Sequence, residues 1–234
     1  MSYWKTEEEL HELIRRELFT AVIGDALDRM GLQRQFLPPS IQPISEDMVV
    51  VGRAMPVVCA DVWPDVDTTR ADNLGNPVMA RPFGLMLRAL DDLRAGEVYL
   101  CTGGTPRYAL WGELMSTRAR HLGAAGAVLD GYARDIQGIR SLGFPTFAIG
   151  RYAQDQGARG KVIDFRCPIE IGVVRVAPGD LLVGDLEGVL VVPAGAVTEA
   201  ISQAVEKARG EKLVRVAIEG GMSASDAFEK FGIL

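Results

Sequence analysis

The chain has 234 residues, 48% of them hydrophobic and 24% charged, with a formal net charge of −6 at pH 7. A chain this long buries roughly 70% or more of its unfolded surface, so folding requires neither a disulfide framework nor a structural zinc. The acidity, with no basic and aromatic-interleaved stripe, argues against a nucleic-acid groove or an anionic membrane surface as partner.

Cys59, Cys101 and Cys167 are scattered and odd in number, as expected of free thiols in a reducing compartment. The first residues lack the apolar core of a signal peptide and no later run is long enough to span a bilayer, so a cytoplasmic location is expected.

Thr6 and Glu9 have capping-box spacing, and Leu10, Leu13, Ile14 and Leu18 behind them predict an amphipathic helix to about Phe19. A second helix is expected from about Gly24 to Met30, closed by Gly31. Pro38, Pro39 and Pro43 make a rigid connection to a long apolar strand, Val49 to Ala60. From Asp61 to Pro77 the pattern dissolves into a polar loop. A helix from about Val78 to Leu93 and a strand from Glu97 to Cys101 follow. Gly103-Gly104-Thr105-Pro106 is a tight turn without the lysine of a phosphate loop. Next come a helix carrying Leu114 to Leu122 and a buried strand from Gly126 to Leu129, ending at Asp130-Gly131. A short helix and a strand from Phe147 to Ile149 complete a βαβαβ stretch, so part of the sheet is expected to be parallel.

Beyond Gly150, strands at Lys161 to Phe165, Ile169 to Val176, Leu181 to Val183 and Val189 to Val192 read as a second, largely antiparallel layer. Val197, Ala200, Ile201, Ala204, Val205 and Ala208 then mark a helix with a 3.6-residue period. N-terminal helices over about 6–31 and C-terminal helices over about 196–231 bracket what reads as one domain, 1–234.

The chemistry concentrates in Trp111 to Met115 and Asp130 to Asp135, each placed past the end of a predicted buried strand, where open α/β sheets put ligands. Gly112 opens a helix whose first amides lack intrahelical partners and can cradle an anion. Arg134 offers a planar fork for a carboxylate, and Asp135 a hard oxygen for magnesium or manganese. On spacing alone, a structural ion pair explains Arg134 and Asp135 more often than a site does. His11 and His121 make neither a zinc site nor a triad, and the irregular acids Asp61, Asp65, Asp67 and Asp72 fit no calcium loop. The lysines are Lys5, Lys161, Lys207, Lys212 and Lys230, none between Thr6 and Gly160, which disfavours a Schiff-base lysine in the crevice.

Glu113, twenty intervening residues and Arg134-Asp135 together resemble the signature of the RraA-like family. Gly24-Asp25-Ala26-Leu27, Val51-Gly52-Arg53-Ala54, Gly123-Ala124-Ala125-Gly126, Gly143-Phe144-Pro145 and Gly188-Val189-Leu190-Val191-Val192-Pro193 extend the resemblance along most of the chain. The family includes the class II 4-hydroxy-4-methyl-2-oxoglutarate and 4-carboxy-4-hydroxy-2-oxoadipate aldolases. The resemblance implies a three-layer α/β/β sandwich with a partly parallel central sheet, assembled as a homotrimer or homohexamer. It implies cleavage of a small 4-hydroxy-2-oxo acid to pyruvate and a second oxo acid, with oxaloacetate decarboxylation as a side activity. Gly112, Glu113, Leu114, Met115 and Arg134 would bind substrate. Asp135 would hold Mg2+ or Mn2+, and Arg134, Glu113 and Asp25 would act in catalysis. Asp25 and, less clearly, Glu211 would be contributed by a neighbouring subunit. Two positions depart from the aldolase pattern: Glu113 stands where Asp is usual, and Gly138 where an acid is usual. A non-catalytic regulator that binds ribonuclease E is the alternative, since some relatives act in that way.

Overall fold

The computed structural model describes residues 3–62, 78 and 81–233. They gather into two compact units, a helical one formed by Met1–Gln33 with Gly195–Leu234 and an α/β one formed by Arg34–Ala194.

The helical unit opens with α1 (Glu7–Glu17) and α2 (Thr20–Arg29). Thr6 Oγ1 accepts from the Glu9 amide at 3.2 Å, but Glu9 Oε2 accepts from the Lys5 amide at 2.6 Å. The capping box therefore closes one residue early. Helix α2 begins at Thr20 rather than Gly24, taking in Thr20, Val22 and Ile23, which are buried. Beta-branched residues are weak helix formers, and here their burial overrides that preference. Gly31, at φ +78°, ends the turn that follows.

In the α/β unit, β1 (Gln42–Pro43), β2 (Val50–Asp61), α3 (Met86–Asp91), β3 (Glu97–Thr102), β4 (Ala109–Trp111) and α4 (Glu113–His121) come first. They are followed by β5 (Gly126–Ala133), α5 (Ile136–Leu142), β6 (Thr146–Arg151), β7 (Gly160–Phe165) and the pair β8 (Ile169–Ile171) and β9 (Val174–Val176). The unit ends with β10 (Leu181–Asp185) and β11 (Gly188–Val192). Among the described residues nine strands form one sheet in the order β1-β6-β5-β3-β2-β10-β11, with β4 joined to β5 and β7 to β2. The run β6-β5-β3-β2 is parallel, which is the expected α/β class with a partly parallel central sheet.

The antiparallel strands do not form a sheet of their own. β2 is long enough that β10 pairs with Val50–Arg53 and β7 with Val57–Asp61, so both extend the same sheet. Among the described residues only β8 and β9 stand apart, as a hairpin. Gly172, at φ +62°, breaks the single strand predicted from Ile169 to Val176. The Leu37 amide donates to the Val189 carbonyl at 2.9 Å and the Val191 amide to the Gln35 carbonyl at 2.8 Å. The segment entering β1 thus runs along β11 and nearly closes the sheet on itself. Trp111, Tyr99, Tyr108 and Phe147 are wholly buried in this unit, as are Met55 and Leu100.

Helix α3 is shorter than the helix predicted from Val78 to Leu93. Pro82 disfavours helix in the residue before it. Gly84 sits at φ +64°, where an added Cβ would collide with the Val162 carbonyl oxygen. That carbonyl accepts from the Leu85 amide at 2.8 Å, so residues 83–85 lie along β7 instead of coiling. Asp65, Asp67, Asp72 and Met79, with most of the predicted 61–77 loop, lie outside the described residues; Asp61 itself ends β2.

The helical unit closes with α6 (Val197–Glu219) and α7 (Ala224–Phe231). The apolar positions read from the sequence, Val197 to Ala208, are all buried in α6. Among the described residues no helix is long and apolar enough to cross a membrane.

Candidate active site

Strand β4 was absent from the sequence reading, because three residues are too few to show a period. It pairs in parallel with the far end of β5. Its last residue, Trp111, donates its indole N–H to Ser116 Oγ at 2.6 Å, and Ser116 Oγ donates to the Gly112 carbonyl at 3.1 Å. This chain of bonds pins the first turn of α4 to the end of β4. Gly112 is the N-cap of α4 and makes no side-chain cap, which leaves the amide end of the helix facing outward.

The sequence reading ended the next strand at Asp130-Gly131, but β5 continues to Ala133, with a register shift between Leu129 and Tyr132. Asp130 is consequently inside the strand, accepting from Thr102 Oγ1 at 2.7 Å, and Arg134 and Asp135 are the residues beyond its end. The Arg134 amide donates to the Trp111 carbonyl at 2.9 Å, tying the two strand ends together. Asp135 is left-handed, at φ 57° and ψ 37°, a conformation that Asp tolerates better than most residues.

Arg134 Nη1 donates to Asp155 Oδ1 at 2.8 Å and its Nε to Asp135 Oδ1 at 3.4 Å. The Glu113 amide points at Asp135 Oδ2, also at 3.4 Å. The Asp135 carboxylate therefore lies between a guanidinium and a helix N-terminus, both of which favour negative charge. An added Cβ on Gly112 would stand 2.7 Å from Asp135 Oδ2 and 3.3 Å from Arg134 Cγ, so a side chain there would displace the Asp135 carboxylate.

A cavity of about 500 Å3 opens here, and Gly112, Leu114, Met115, Arg134 and Asp135, all named in the sequence reading, are among its lining residues. Asp155 lines it too, a residue that reading missed. Its signal was a polar turn, Gln154 to Gly157, past the predicted strand at Phe147 to Ile149: the strand-end rule applied to one strand more. Glu113 is not among the lining residues; its side chain lies over Gly138, where an added Cβ would collide with Glu113 Cδ and Oε2. The longer acid at 113 thus occupies the space that a side chain at 138 would need.

Among the described residues no three acid, His or Cys side chains gather as a metal cage. Magnesium needs less than a cage: one or two carboxylates suffice, with water and substrate oxygens completing its shell. Asp155 has both oxygens in short hydrogen bonds, to Arg134 at 2.8 Å and to the Gly157 amide at 2.7 Å. Both Asp135 contacts, at 3.4 Å, are longer than ordinary hydrogen bonds, so its lone pairs are the ones with capacity for a hard cation.

In the helical unit the structure brings Asp25 and Glu211 together around Lys207. Its Nζ pairs with Asp25 Oδ2 and, at 3.5 Å, with Glu211 Oε1. Lys161 is deeply buried, donates to the Arg81 carbonyl at 2.6 Å and is not a lining residue of the cavity. Burial pushes its ammonium pKa down. Asp61, one of the predicted loop acids, staples the turn after β3, accepting from Thr105 Oγ1 at 2.7 Å, Tyr108 at 2.9 Å and Arg107 at 3.0 Å. Burial works to raise its carboxyl pKa, and these bonds outweigh it and leave the group below its ordinary value. Cys59 and Cys101 are buried free thiols, and burial raises Cys59 to about 11.

A partly parallel sheet that delivers a helix amide end, a guanidinium and two carboxylates to one cavity defines an α/β protein built to take a small ligand. Its lineage is equally definite. The chain belongs to the RraA-like family, whose Aldolase/RraA model matches residues 20–191. A Halalkalibacterium halodurans protein, provisionally named a 4-hydroxy-4-methyl-2-oxoglutarate aldolase, is 32% identical over 214 residues, covering 91% of this chain and 90% of its own. The Thermus thermophilus 4-hydroxy-4-methyl-2-oxoglutarate aldolase is 30% identical over 63% of this chain and 88% of its own. Protein DlpA of Legionella pneumophila is 27% identical over 91% of this chain, which spans only 32% of DlpA's length. The crystal structure of Streptomyces coelicolor RraAS2, described as an unusual member of the RNase ES inhibitor RraA protein family, shares the fold. Its TM-score is 0.76 at 23% identity, over 91% of this chain and all of that one.

Proposed function

We propose that the chain is a divalent-metal-dependent lyase that cleaves a 4-hydroxy-2-oxo acid to pyruvate and a second oxo compound. The supporting observation is the Asp135 carboxylate set between Arg134 and the amide end of α4 on the wall of one cavity. The aldolase names of the relatives agree with it. Breaking the C3–C4 bond leaves its electron pair in the pyruvate enolate, with negative charge on the 2-oxo oxygen. The Arg134 guanidinium and the α4 amides are donors held in place for that charge before it forms. Mg2+ or Mn2+ held by Asp135 would supply Lewis-acid polarisation of the 2-oxo group. Asp155 fixes the direction of the Arg134 fork. Glu113 rests over Gly138 and outside the cavity lining, so its proposed part in moving the 4-hydroxyl proton runs through a water. Asp25 and Glu211 are assigned to the site of a neighbouring subunit in a trimer or hexamer. Oxaloacetate decarboxylation passes through the same enolate and is expected as a side activity.

The test is coupled detection of pyruvate from 4-hydroxy-4-methyl-2-oxoglutarate and other 4-hydroxy-2-oxo acids, with magnesium or with chelator. Turnover that magnesium supports and chelation abolishes is expected. A folded protein that releases no pyruvate from any of them overturns the lyase and leaves ribonuclease regulation as the second reading.

A further inference from the structure

We infer that the cavity selects a substrate with an apolar group on C4, aryl or branched alkyl, over one with a second carboxylate there; the inference rests on the lyase reading. One end of the cavity is polar, with Gly112, Arg134, Asp135, Asp155 and Gln156, and Asp91 and Arg118 also line it beside a wall of hydrocarbon from Met86, Leu87, Leu90, Leu110, Leu114 and Met115. Leu87 and Leu114 are 57% and 84% exposed, so large apolar side chains stand open to solvent beside the candidate site. At about 500 Å3 the cavity falls in the range of roughly 300–1,000 Å3 that holds drug-sized ligands, far more than a three-carbon acid fills. Water in the remaining space would face mostly hydrocarbon and find few hydrogen-bond partners.

Charge points the same way. Arg118 and Arg134 line the cavity with Asp91, Asp135 and Asp155, and each arginine already faces an aspartate: Arg118 meets Asp91 at 2.8 Å and Arg134 meets Asp155 at 2.8 Å. The lining carries one more negative than positive side chain. A dication at Asp135 reverses that excess by one charge, and Asp25 of a neighbouring subunit would cancel it, which leaves no positive excess for a second carboxylate. A second carboxylate placed toward Leu87 would approach Asp91 and an arginine that Asp91 already engages.

For 4-hydroxy-2-oxo-4-phenylbutanoate the products are pyruvate and benzaldehyde. The C3–C4 bond breaks and its pair passes to C3 of the enolate. The hydroxyl proton leaves as the C4 carbonyl forms, and one proton returns to C3, so no oxidant or co-reactant is needed.

Two measurements test this. In binding calorimetry with magnesium, 2-oxo-4-phenylbutanoate and 2-oxoglutarate are compared. Neither has the 4-hydroxyl, so this reaction does not consume them. The phenyl compound is expected to bind at least about tenfold tighter, since a buried methylene alone contributes about fourfold. Leu87→Arg, at an exposed position, is expected to shrink or reverse that ratio. In the pyruvate assay, 4-hydroxy-2-oxo-4-phenylbutanoate is expected to exceed 4-hydroxy-4-methyl-2-oxoglutarate in kcat/KM by a similar factor. Equal or tighter binding of 2-oxoglutarate, or no binding of either, overturns the inference. Tighter phenyl binding without pyruvate release from any hydroxy acid overturns the lyase reading alone.

Discussion

Gly112 and three charged side chains, Arg134, Asp135 and Asp155, set the site. Arg134 is half-buried and its loss opens no core, so Arg134→Ala is expected to fold normally while kcat/KM for pyruvate release falls by about 100-fold or more, the scale of losing a charge-stabilising donor. Asp155→Asn keeps an acceptor for the fork and is expected to cost less than Arg134→Ala, in the same assay. Gly112→Ala inserts a methyl 2.7 Å from Asp135 Oδ2, and its extended backbone suits alanine. Its expected signature is a large loss of activity with a melting temperature close to the parent's; unchanged kinetics would contradict the placement of Asp135. Arg134 and Asp135 were legible in the sequence because they lie just past a predicted buried strand, whereas β4, the strand that Gly112 follows, is too short to show a period. Asp155 was not legible, since its meeting with Arg134 depends on β5 and β6 being neighbours, which no local pattern records.

At the scale of elements, the helical unit is held partly by an ion pair, Arg209 Nε to Glu17 Oε2 at 3.0 Å, that joins α6 to the end of α1. The Arg209 hydrogen bond, aided by Arg16, depresses the Glu17 carboxyl to about 2 from an ordinary 4.5. A depressed acid contributes stability that is present above its unfolded pKa and lost as pH falls through its folded one. Arg209→Ala is therefore expected to lower the stability of the chain at pH 7, and the gap from the parent should close between pH 4.5 and 2 in urea titrations. Gly84→Ala tests the junction between the segment before α3 and β7. A side chain at φ +64° against the Val162 carbonyl should cost about 1–3 kcal/mol, read as a lower urea midpoint. The sequence extended the helix back to Val78 because apolar spacing continues there. Pro82 and the pairing of residues 83–85 with β7 override that spacing.

At the scale of the whole molecule, the proposed neighbouring-subunit role of Asp25 makes a sharp expectation. If one subunit supplies Arg134 and the next Asp25, then Arg134→Ala and Asp25→Ala are each nearly inactive alone. Mixed by unfolding and refolding together, they should recover about a quarter of parental activity, because random pairing rebuilds that share of shared sites. No recovery would confine the site to one chain. The sequence by itself determined the alternation of strands and helices, the buried face of α6 and the placing of Arg134 and Asp135 past a strand end. All of these follow from periodicity, caps and chain order within a few tens of residues. Only the tertiary structure decided that β7 and β10 extend the parallel sheet through β2, that the sheet nearly closes, that Asp155 completes the polar end of the cavity and that Lys207 gathers Asp25 and Glu211. Those arrangements join residues far apart in the chain, and the energy that selects them comes from packing and pairing across the fold, which leaves no periodic mark on either partner's sequence.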